Sequence, residues 1–169
     1  GIGFAAVVEP SVSNMGYITA VLTPGERRKA GPKNGAQAVA TIGIDPLGGV
    51  GVTVASVPQG QGHRTVLAQV VADALGLRPE DVRVTAGDAW SIASGNYASR
   101  FAAAVAGAAH LAAERLRGRL AQQAAAQLNV RPEDVVFAGG RVAARDNPDN
   151  GVSFSRVAAA GHWAPGTLP

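Results

Sequence analysis

Alternating apolar positions predict a β-hairpin in the first half of the chain. Apolar side chains fall on every second residue from Ala36 to Ile44, and Val50, Val52 and Val54 continue the alternation. The residues between the two runs, 45–49, read Asp-Pro-Leu-Gly-Gly, a composition typical of a turn. We therefore predict two strands joined by a tight connection.

The stretch before this hairpin predicts two strands and a loop. Residues 2–8 and 17–22 are apolar and include β-branched side chains, so we expect each to form a strand. Residues 23–35 are rich in proline, glycine and charge, which predicts a solvated loop. A solvated turn is favoured over a phosphate-binding patch for the charged run in this loop, Glu26, Arg27, Arg28 and Lys29.

A helix is predicted directly after the hairpin. Between residues 63 and 75 the apolar side chains recur at spacings of three and four, and Gly76 ends the pattern. The preceding strand runs out at Pro58, so the sequence Gln-Gly-Gln-Gly of residues 59–62 joins a strand to a helix.

One helix-to-strand connection occurs twice. Residues 75–82 and 128–135 read Leu-Gly-Leu-Arg-Pro-Glu-Asp-Val and Leu-Asn-Val-Arg-Pro-Glu-Asp-Val, identical at six of eight positions. Proline fixes φ where the helix has stopped, the two acids cap a turn, and valine starts a strand. Two copies are too few for a repeat protein, so a shared local solution is favoured over an internal duplication.

Alanine dominates the segment between the two copies. Residues 99–128 form one long predicted helix, in which the small side chains imply close approach to a sheet or another helix, with Gly107 at the tightest contact. Three further elements are predicted toward the C-terminus: a hairpin turning at Gly139-Gly140, a polar loop over 145–151 and a short helix over 154–160. The expected fold class is α+β, a mixed sheet with a long alanine-rich helix.

Composition agrees with a folded interior. Of the 169 residues, 47% are hydrophobic and 16% are charged, which supports a buried core and excludes disorder throughout. No run of about 18 uncharged apolar residues occurs, so a membrane span is not expected. The first residues lack a basic stretch, so we expect no secretory signal and a cytoplasmic location.

Charge and cysteine content narrow the chemistry further. The net charge of +3 is far below the charge density of a nucleic-acid-binding protein. The chain has no cysteine, which excludes disulfides, iron–sulfur ligation and cysteine nucleophiles on this chain. His63, His110 and His162 lack metal-ligand spacing, so hydrogen-bonded structural roles are favoured and no metal site is predicted. The carboxylates are scattered, and no catalytic constellation is predicted.

The Gln-Gly-Gln-Gly segment is the sharpest candidate for ligand binding. Gly60 and Gly62 would let backbone amides approach a ligand closely, the helix N-terminus adds partial positive charge, and Gln61 can donate from its amide. An anion, most naturally a phosphate, is the expected ligand. The segment lacks the Lys-Ser/Thr pair of a triphosphate-binding loop and the spacing of a dinucleotide fingerprint. From the residues alone, a plain tight turn and a binding loop stay open as equal alternatives.

A second loop of small and hydrogen-bonding residues, 93–100, precedes the long helix. Ser94 or Asn96 could cap that helix. Alternatively, the loop could present hydrogen-bond donors that face the first loop. Both interpretations stay open.

Three segments together resemble a known family. Val-Pro-Gln-Gly-Gln-Gly-His-Arg-Thr at 57–65, Ala-Gln-Val-Val-Ala-Asp-Ala-Leu-Gly at 68–76 and Ser-Gly-Asn-Tyr-Ala-Ser-Arg at 94–100 stand in this order. They are similar to the molybdenum-cofactor-binding large subunit of the xanthine dehydrogenase and aldehyde oxidase family, above all to its carbon monoxide dehydrogenase type. The resemblance covers nearly the whole chain, and it implies that residues 1–169 are a single fragment of the molybdopterin-binding domain.

The resemblance implies two cofactor-binding loops. In the family the first loop contacts the phosphate-bearing part of a molybdenum–pterin cofactor, of which the cytosine dinucleotide form is one candidate. The second loop also lines the cofactor. Carried over to this chain, the cofactor-binding residues are Gly60, Gln61 and Gly62, with His63 and Thr65 as weaker candidates, and Asn96, Tyr97, Ala98, Ser99 and Arg100.

The resemblance also implies a reaction and partners. Members of the family hydroxylate a carbon centre with water as the oxygen source, or oxidise carbon monoxide, and electrons leave through iron–sulfur clusters and FAD. We expect those groups only on partner chains. The implied assembly is a hetero-oligomer with the remaining segments of the large subunit and with iron–sulfur and flavin subunits, and it includes no nucleic acid.

The sequence departs from the family pattern in three ways. It has neither the family's glycine-rich segment with phenylalanine nor the Gly-Glu segment whose glutamate is the catalytic base, and residues 84–91 are shortened. The chain is therefore expected to be a middle portion of the subunit, inactive alone and without a catalytic residue. A non-catalytic scaffolding module without pterin is the alternative hypothesis, and an independent binder of a phosphate-bearing ligand is a third.

Overall fold

The computed structural model describes residues 1–6, 21–30, 38–87, 96 and 99–163. Short 3₁₀ turns precede two of its strands, and a π-helical segment leads into the longest helix. In chain order the helices and strands are α1 (Pro24–Ala30), β1 (Ala40–Ile44), β2 (Val50–Val54), α2 (His63–Leu75), β3 (Val82–Ala86), the π-helix (Phe101–Ala106), α3 (Gly107–Leu128), β4 (Val135–Ala138), β5 (Arg141–Ala144), β6 (Asn147–Ser153) and α4 (Phe154–Trp163).

The first sheet is mixed, as predicted. Strand β1 pairs with β2 in the antiparallel sense, and β2 pairs with β3 in the parallel sense. A parallel pair needs a crossover connection, which α2 supplies by packing back on the sheet. Valines at alternate positions of β2 are at most 2% exposed, so this strand lies at the centre of the core. The predicted α+β class is confirmed.

The hairpin between β1 and β2 is confirmed, and its turn is organised by one carboxylate. Asp45 Oδ1 accepts hydrogen bonds from the backbone N–H groups of Leu47, at 2.9 Å, and Gly49, at 2.8 Å. These hydrogen bonds hold the pKa of Asp45 below its ordinary value.

Helix α3 packs through alanine. Ala109, Ala113 and Ala124 are fully buried, and the helix contacts α2, β1, β4, β5 and α4. The predicted long helix is confirmed from Phe101 to Leu128, with residues 101–106 π-helical, but Ser99 precedes it with a left-handed φ of 48°. The prediction for Gly107 is wrong, because no described atom lies within 4 Å of the Cβ that it would gain on substitution. The close contacts are made by alanine side chains instead.

Both copies of the repeated connection fold alike. Each has a left-handed residue after the helix, Gly76 with φ 65° and Asn129 with φ 53°, and then a 3₁₀ turn and a strand. Glycine and asparagine are the residues that adopt this conformation most readily, so the difference in sequence leaves the backbone unchanged. In each copy the Arg before the proline pairs with the Asp three residues later, at 3.0 Å and 2.8 Å. The shared local solution is confirmed.

The predicted loop over 23–35 is wrong for residues 24–30, which form α1. Thr23 and Glu26 cap this helix reciprocally: the Thr23 N–H and hydroxyl donate to Glu26 Oε2, and the Glu26 N–H donates to Thr23 Oγ1. The motif Thr-Pro-Gly-Glu is a helix start with proline at its first position. The charged side chains from Glu26 to Lys29 are exposed. The remainder of the predicted loop lies outside the described residues.

Two further predictions need correction, and two are confirmed. Residues 147–151 lie in β6, which pairs with β5 across a register shift, so the predicted polar loop is wrong there. Residues 2–6 form no strand, and Ile2 and Phe4 are exposed. Residues 21 and 22, the end of the second predicted strand, form no strand either, and residues 7–20 lie outside the described part of the chain. The hairpin at Gly139-Gly140 is present, and the short C-terminal helix extends to Trp163.

The end of α2 contacts the second sheet. The Gly76 carbonyl oxygen accepts a hydrogen bond from the Gly140 N–H at 2.9 Å, across to the β4–β5 turn. A Cβ on Gly76 would lie 2.7 Å from the Ala138 nitrogen and against the Phe137 backbone. The two sheets therefore meet at this glycine. Among the described helices, none combines the length and hydropathy that a membrane crossing requires.

Replacement of Gly76 with alanine is expected to destabilise the protein by about 3 kcal/mol, because the new Cβ adds left-handed strain and a backbone clash. Gly118→Ala is the matched control: it lies inside α3 with open space around its Cα, so alanine should be neutral or stabilise by up to about 1 kcal/mol. Urea denaturation of both variants measures the difference. Equal stabilities would contradict the packing described for Gly76.

Candidate functional site

The first loop is open to solvent and held in a conformation that requires glycine. Residues 59–62 are exposed between β2 and α2, and the backbone φ angles are 103° at Gly60 and 76° at Gly62. No described atom lies within 4 Å of the Cβ that either glycine would gain. The backbone amides of this loop are therefore accessible to a ligand from outside.

The Gln61 side chain is partly committed to the loop itself. The Gln59 N–H donates to Gln61 Oε1 at 2.6 Å, which bends the loop into a compact turn. The Gln61 amide nitrogen then carries the donors that remain for a ligand. Both alternatives raised by the sequence, a tight turn and a surface for binding, thus describe the same segment.

Helix α2 adds positive potential beside the loop. Its first turn contains no acidic residue, and Gly62 at its N-cap has no side chain that could satisfy the first backbone amides. Unpaired amides and the helix dipole favour an anion at this end. Arg64 and Thr65 are both exposed in the same turn, so they supply a charge and a hydroxyl at the surface.

Asn96 connects the second loop to the first. Its side-chain amide donates to the Val57 carbonyl oxygen and lies 3.3 Å from His63 Nε2, and its Oδ1 accepts from the Ser56 hydroxyl at 2.6 Å. Ser56 Oγ also lies 2.9 Å from His63 Nε2. Asn96 thus lies against the first loop, while residues 93–95, 97 and 98 of the second loop lie outside the described residues. Asn96 makes these contacts instead of capping a helix, and Ser94 lies outside the described residues.

His63 is buried in this cluster. Its side chain is 1% exposed, and its ring stacks on Phe101 with 3.8 Å between the centroids. Burial lowers the pKa of His63, and the neighbouring Asn96 side chain opposes this effect in part. We expect a neutral imidazole near pH 7.

The predicted cofactor-binding residues fall into three groups. Exposed at the first loop and helix turn are Gly60, Gln61, Gly62 and Thr65. The side chains of His63 and Arg100 are 1% exposed, Asn96 is half-buried, and Ser99 is exposed with a left-handed φ of 48°. Tyr97 and Ala98 lie outside the described residues. Of these positions, His63 can meet a surface ligand only through its backbone.

Sequence reasoning missed Ser56. The residue is 4% exposed and follows the end of β2, where it contacts a side chain that is 40 positions further along the chain. No local pattern marks such a contact. The described residues also contain no cluster of three histidine, aspartate or glutamate side chains that could hold a metal ion.

Comparison with known proteins gives the family. A family model described as a molybdopterin cofactor-binding domain matches residues 1–169, so the chain belongs to this family. The large subunit of nicotine 6-hydroxylase from Paenarthrobacter nicotinovorans is 34% identical over 96% of this chain. The carbon monoxide dehydrogenase large chain from Afipia carboxidovorans is 29% identical over 75% of it.

A solved structure supports the same assignment. Quinoline 2-oxidoreductase from Pseudomonas putida 86 superposes with a TM-score of 0.73 and 40% sequence identity, over 78% of this chain and 17% of that one. The resemblance to molybdenum-cofactor-binding large subunits is therefore confirmed. This chain spans 19% and 16% of the two curated relatives, so it corresponds to less than a fifth of their length.

The buried His63 is expected to make stability depend on pH. Its folded pKa lies below the value of about 6.5 in the unfolded chain, so the unfolded state binds the extra proton first as the pH falls. The free energy of unfolding should therefore decrease as the pH is lowered from about 7.5 to about 5.5, by at most about 1.4 kcal/mol per pH unit.

Urea denaturation across this pH range tests the expectation, with His63→Phe as the comparison. Phenylalanine keeps an aromatic ring against Phe101 but cannot take up a proton. The variant should therefore lose this part of the pH dependence. A slope that persists unchanged in His63→Phe would assign the effect to other groups.

Proposed function

We propose that this chain binds the phosphate-bearing part of a molybdenum–pterin cofactor in the large subunit of a molybdenum hydroxylase. One observation carries the proposal: an exposed loop with two left-handed glycines opens directly into the N-terminus of α2. Backbone amides arranged in this way bind phosphate without a dedicated cation. Membership of the molybdopterin cofactor-binding family supports the choice of this ligand.

The residues of the first loop fit such a group. No atom of the described residues lies within 4 Å of the Cβ positions of Gly60 and Gly62, so the backbone can approach the ligand closely. Gln61 would donate from its amide nitrogen and Thr65 from its hydroxyl. His63 would contribute its backbone N–H, because its side chain is buried.

The second loop would form the opposite wall. Asn96 already lies against the first loop, and exposed Ser99 lies at the start of the π-helix. Arg100 is buried and would supply a fixed positive charge instead of a surface contact. We keep Tyr97 and Ala98 as candidates from the resemblance.

The proposed reaction belongs to the complete enzyme. When bound, the molybdenum–pterin group supplies the redox chemistry that hydroxylates a carbon centre with water or oxidises carbon monoxide. The role of this chain is to bind and orient that group, and we assign it no catalytic residue. Turnover would require the other segments of the large subunit, with iron–sulfur clusters and FAD on partner chains of a cytoplasmic hetero-oligomer.

The relatives suggest which cofactor form and which substrate class to test first. Carbon monoxide dehydrogenase is among them, and we propose the cytosine dinucleotide form of the cofactor as the first to test. The nicotine 6-hydroxylase large subunit is 34% identical over 96% of this chain, whereas two carbon monoxide dehydrogenase large chains are 29% and 33% identical over 75% and 56% of it. Among the solved structures, quinoline 2-oxidoreductase is 40% identical and a carbon monoxide dehydrogenase 28%. A nitrogen heterocycle is therefore the substrate class that we place before carbon monoxide.

Gln61→Ala is expected to weaken cofactor binding by about tenfold, because a hydrogen bond to a charged group is lost. Gln69→Ala is the matched control: Gln69 is exposed on α2, the helix that follows the loop, and this variant should bind the cofactor normally. Molybdenum content by mass spectrometry of the purified protein and pterin fluorescence after extraction give the occupancy. Unchanged occupancy in Gln61→Ala would remove this loop from the binding site, and a native protein without pterin would favour a scaffolding role.

A further inference from the structure

A single side chain of the second loop contacts both ends of the first loop. Asn96 donates to the Val57 carbonyl oxygen, just before the glycine-rich segment, and it contacts His63, just after it. Ser56 lies between the two contacts and bonds to both Asn96 and His63. Ser56 and His63, which flank the segment from 58 to 62, are thus joined to each other and to the distant Asn96.

The hydrogen bonds in this cluster have one direction. The Ser56 hydroxyl has one proton and is 2.6 Å from Asn96 Oδ1, an atom that can only accept. Ser56 Oγ must then accept the second bond, so His63 Nε2 carries a proton and donates across 2.9 Å. The Asn96 amide nitrogen, 3.3 Å from Nε2, is then in contact with it without a hydrogen bond. The chain of donors runs from His63 to Ser56 to Asn96 to Val57.

This direction fixes the state of His63. With the proton on Nε2 and the ring neutral, Nδ1 is a bare acceptor, and it is buried with no hydrogen-bond partner among the described residues. Stacking on Phe101 fixes the plane of the ring. The imidazole therefore acts as an oriented donor beneath the loops, not as an acid or base at their surface.

We propose that Ser56, His63 and Asn96 form a latch, a set of positioning residues that holds Asn96 of the second loop against the first loop in the geometry that binds the cofactor. This inference rests on the proposed function. Ser56 and His63 are 4% and 1% exposed, so they act through the backbone positions that they connect. The three hydrogen bonds of the latch, and the stacking of His63 on Phe101, restrict the movement of these side chains. Loss of one member would free Asn96 to move away from the first loop.

The test compares cofactor retention in variants of the native protein that carries this chain, purified with the polypeptides that accompany it. Molybdenum remaining after dilution, measured against time, gives the rate of cofactor loss without relying on activity. We expect Ser56→Ala and Asn96→Ala each to release the cofactor about tenfold faster. The double variant should be no faster than the worse single variant, because both changes open the same latch. Ser56→Thr keeps the hydroxyl and should restore retention.

Val142→Ala is the control for general destabilisation. Val142 is fully buried in the second sheet, so its truncation should lower the melting temperature without changing the rate of cofactor loss. If Ser56→Ala fails to accumulate, Asn96→Asp takes its place. This variant keeps the acceptor for Ser56, loses the donor to Val57, and should release the cofactor at a rate between parent and Asn96→Ala.

The outcomes separate the two proposals. Faster loss in the latch variants with normal loss in Val142→Ala supports the latch. Three results would overturn the latch and leave the proposed function standing. They are equal rates of cofactor loss in the parent and Ser56→Ala, additive effects in the double variant, and loss in Val142→Ala as fast as in a latch variant with the same melting temperature. A parent protein that contains no molybdenum–pterin group would overturn both.

Discussion

Left-handed backbone at the two ends of α2 is the constraint on which the structure depends. Gly62, with φ 76°, lets the chain enter the helix from an open loop, and Gly76, with φ 65°, turns it out toward β3. An L side chain at either position would be strained, so glycine is needed at both. Because of these two turns, α2 completes the crossover between two parallel strands and presents its unpaired amides outward.

Alanine packing supplies the close approach that this arrangement needs. The fully buried Ala109, Ala113 and Ala124 allow α3 to lie against neighbours in both sheets. The Asn150 side chain donates to the Leu128 carbonyl oxygen at the far end of the helix, and Phe101 stacks on His63 before its start. The helix thus extends from the second sheet to the residues under the candidate site, which explains how a chain with few aromatic residues keeps one continuous core.

The sequence predicted those elements whose signals are local. Alternating valines defined β2, and the three-and-four spacing between two glycines defined α2 at its observed bounds. It failed at α1, where the Thr23–Glu26 cap was hidden in a stretch rich in proline, glycine and charge. It also failed at β6, because polar residues such as Asn147 and Asp149 form a strand only through pairing with β5. At the candidate site, the glycines could be recognised in the sequence. The role of Ser56 could not, because it depends on a hydrogen bond with Asn96, a distant residue that only the fold brings near.

The contact between Gly76 and the β4–β5 turn fixes the end of α2 that lies away from the candidate site. Helix α2 has 13 residues, so this contact lies about 20 Å from the glycine-rich loop. Because an α-helix is stiff over this length, a tilt of α2 at Gly76 also displaces its N-terminus and the loop before it. Changes at the Gly139-Gly140 turn that break the Gly140–Gly76 hydrogen bond can therefore tilt α2 and misalign the loop without touching it. A redesign of the loop for another ligand would depend on the same hydrogen bond for its orientation.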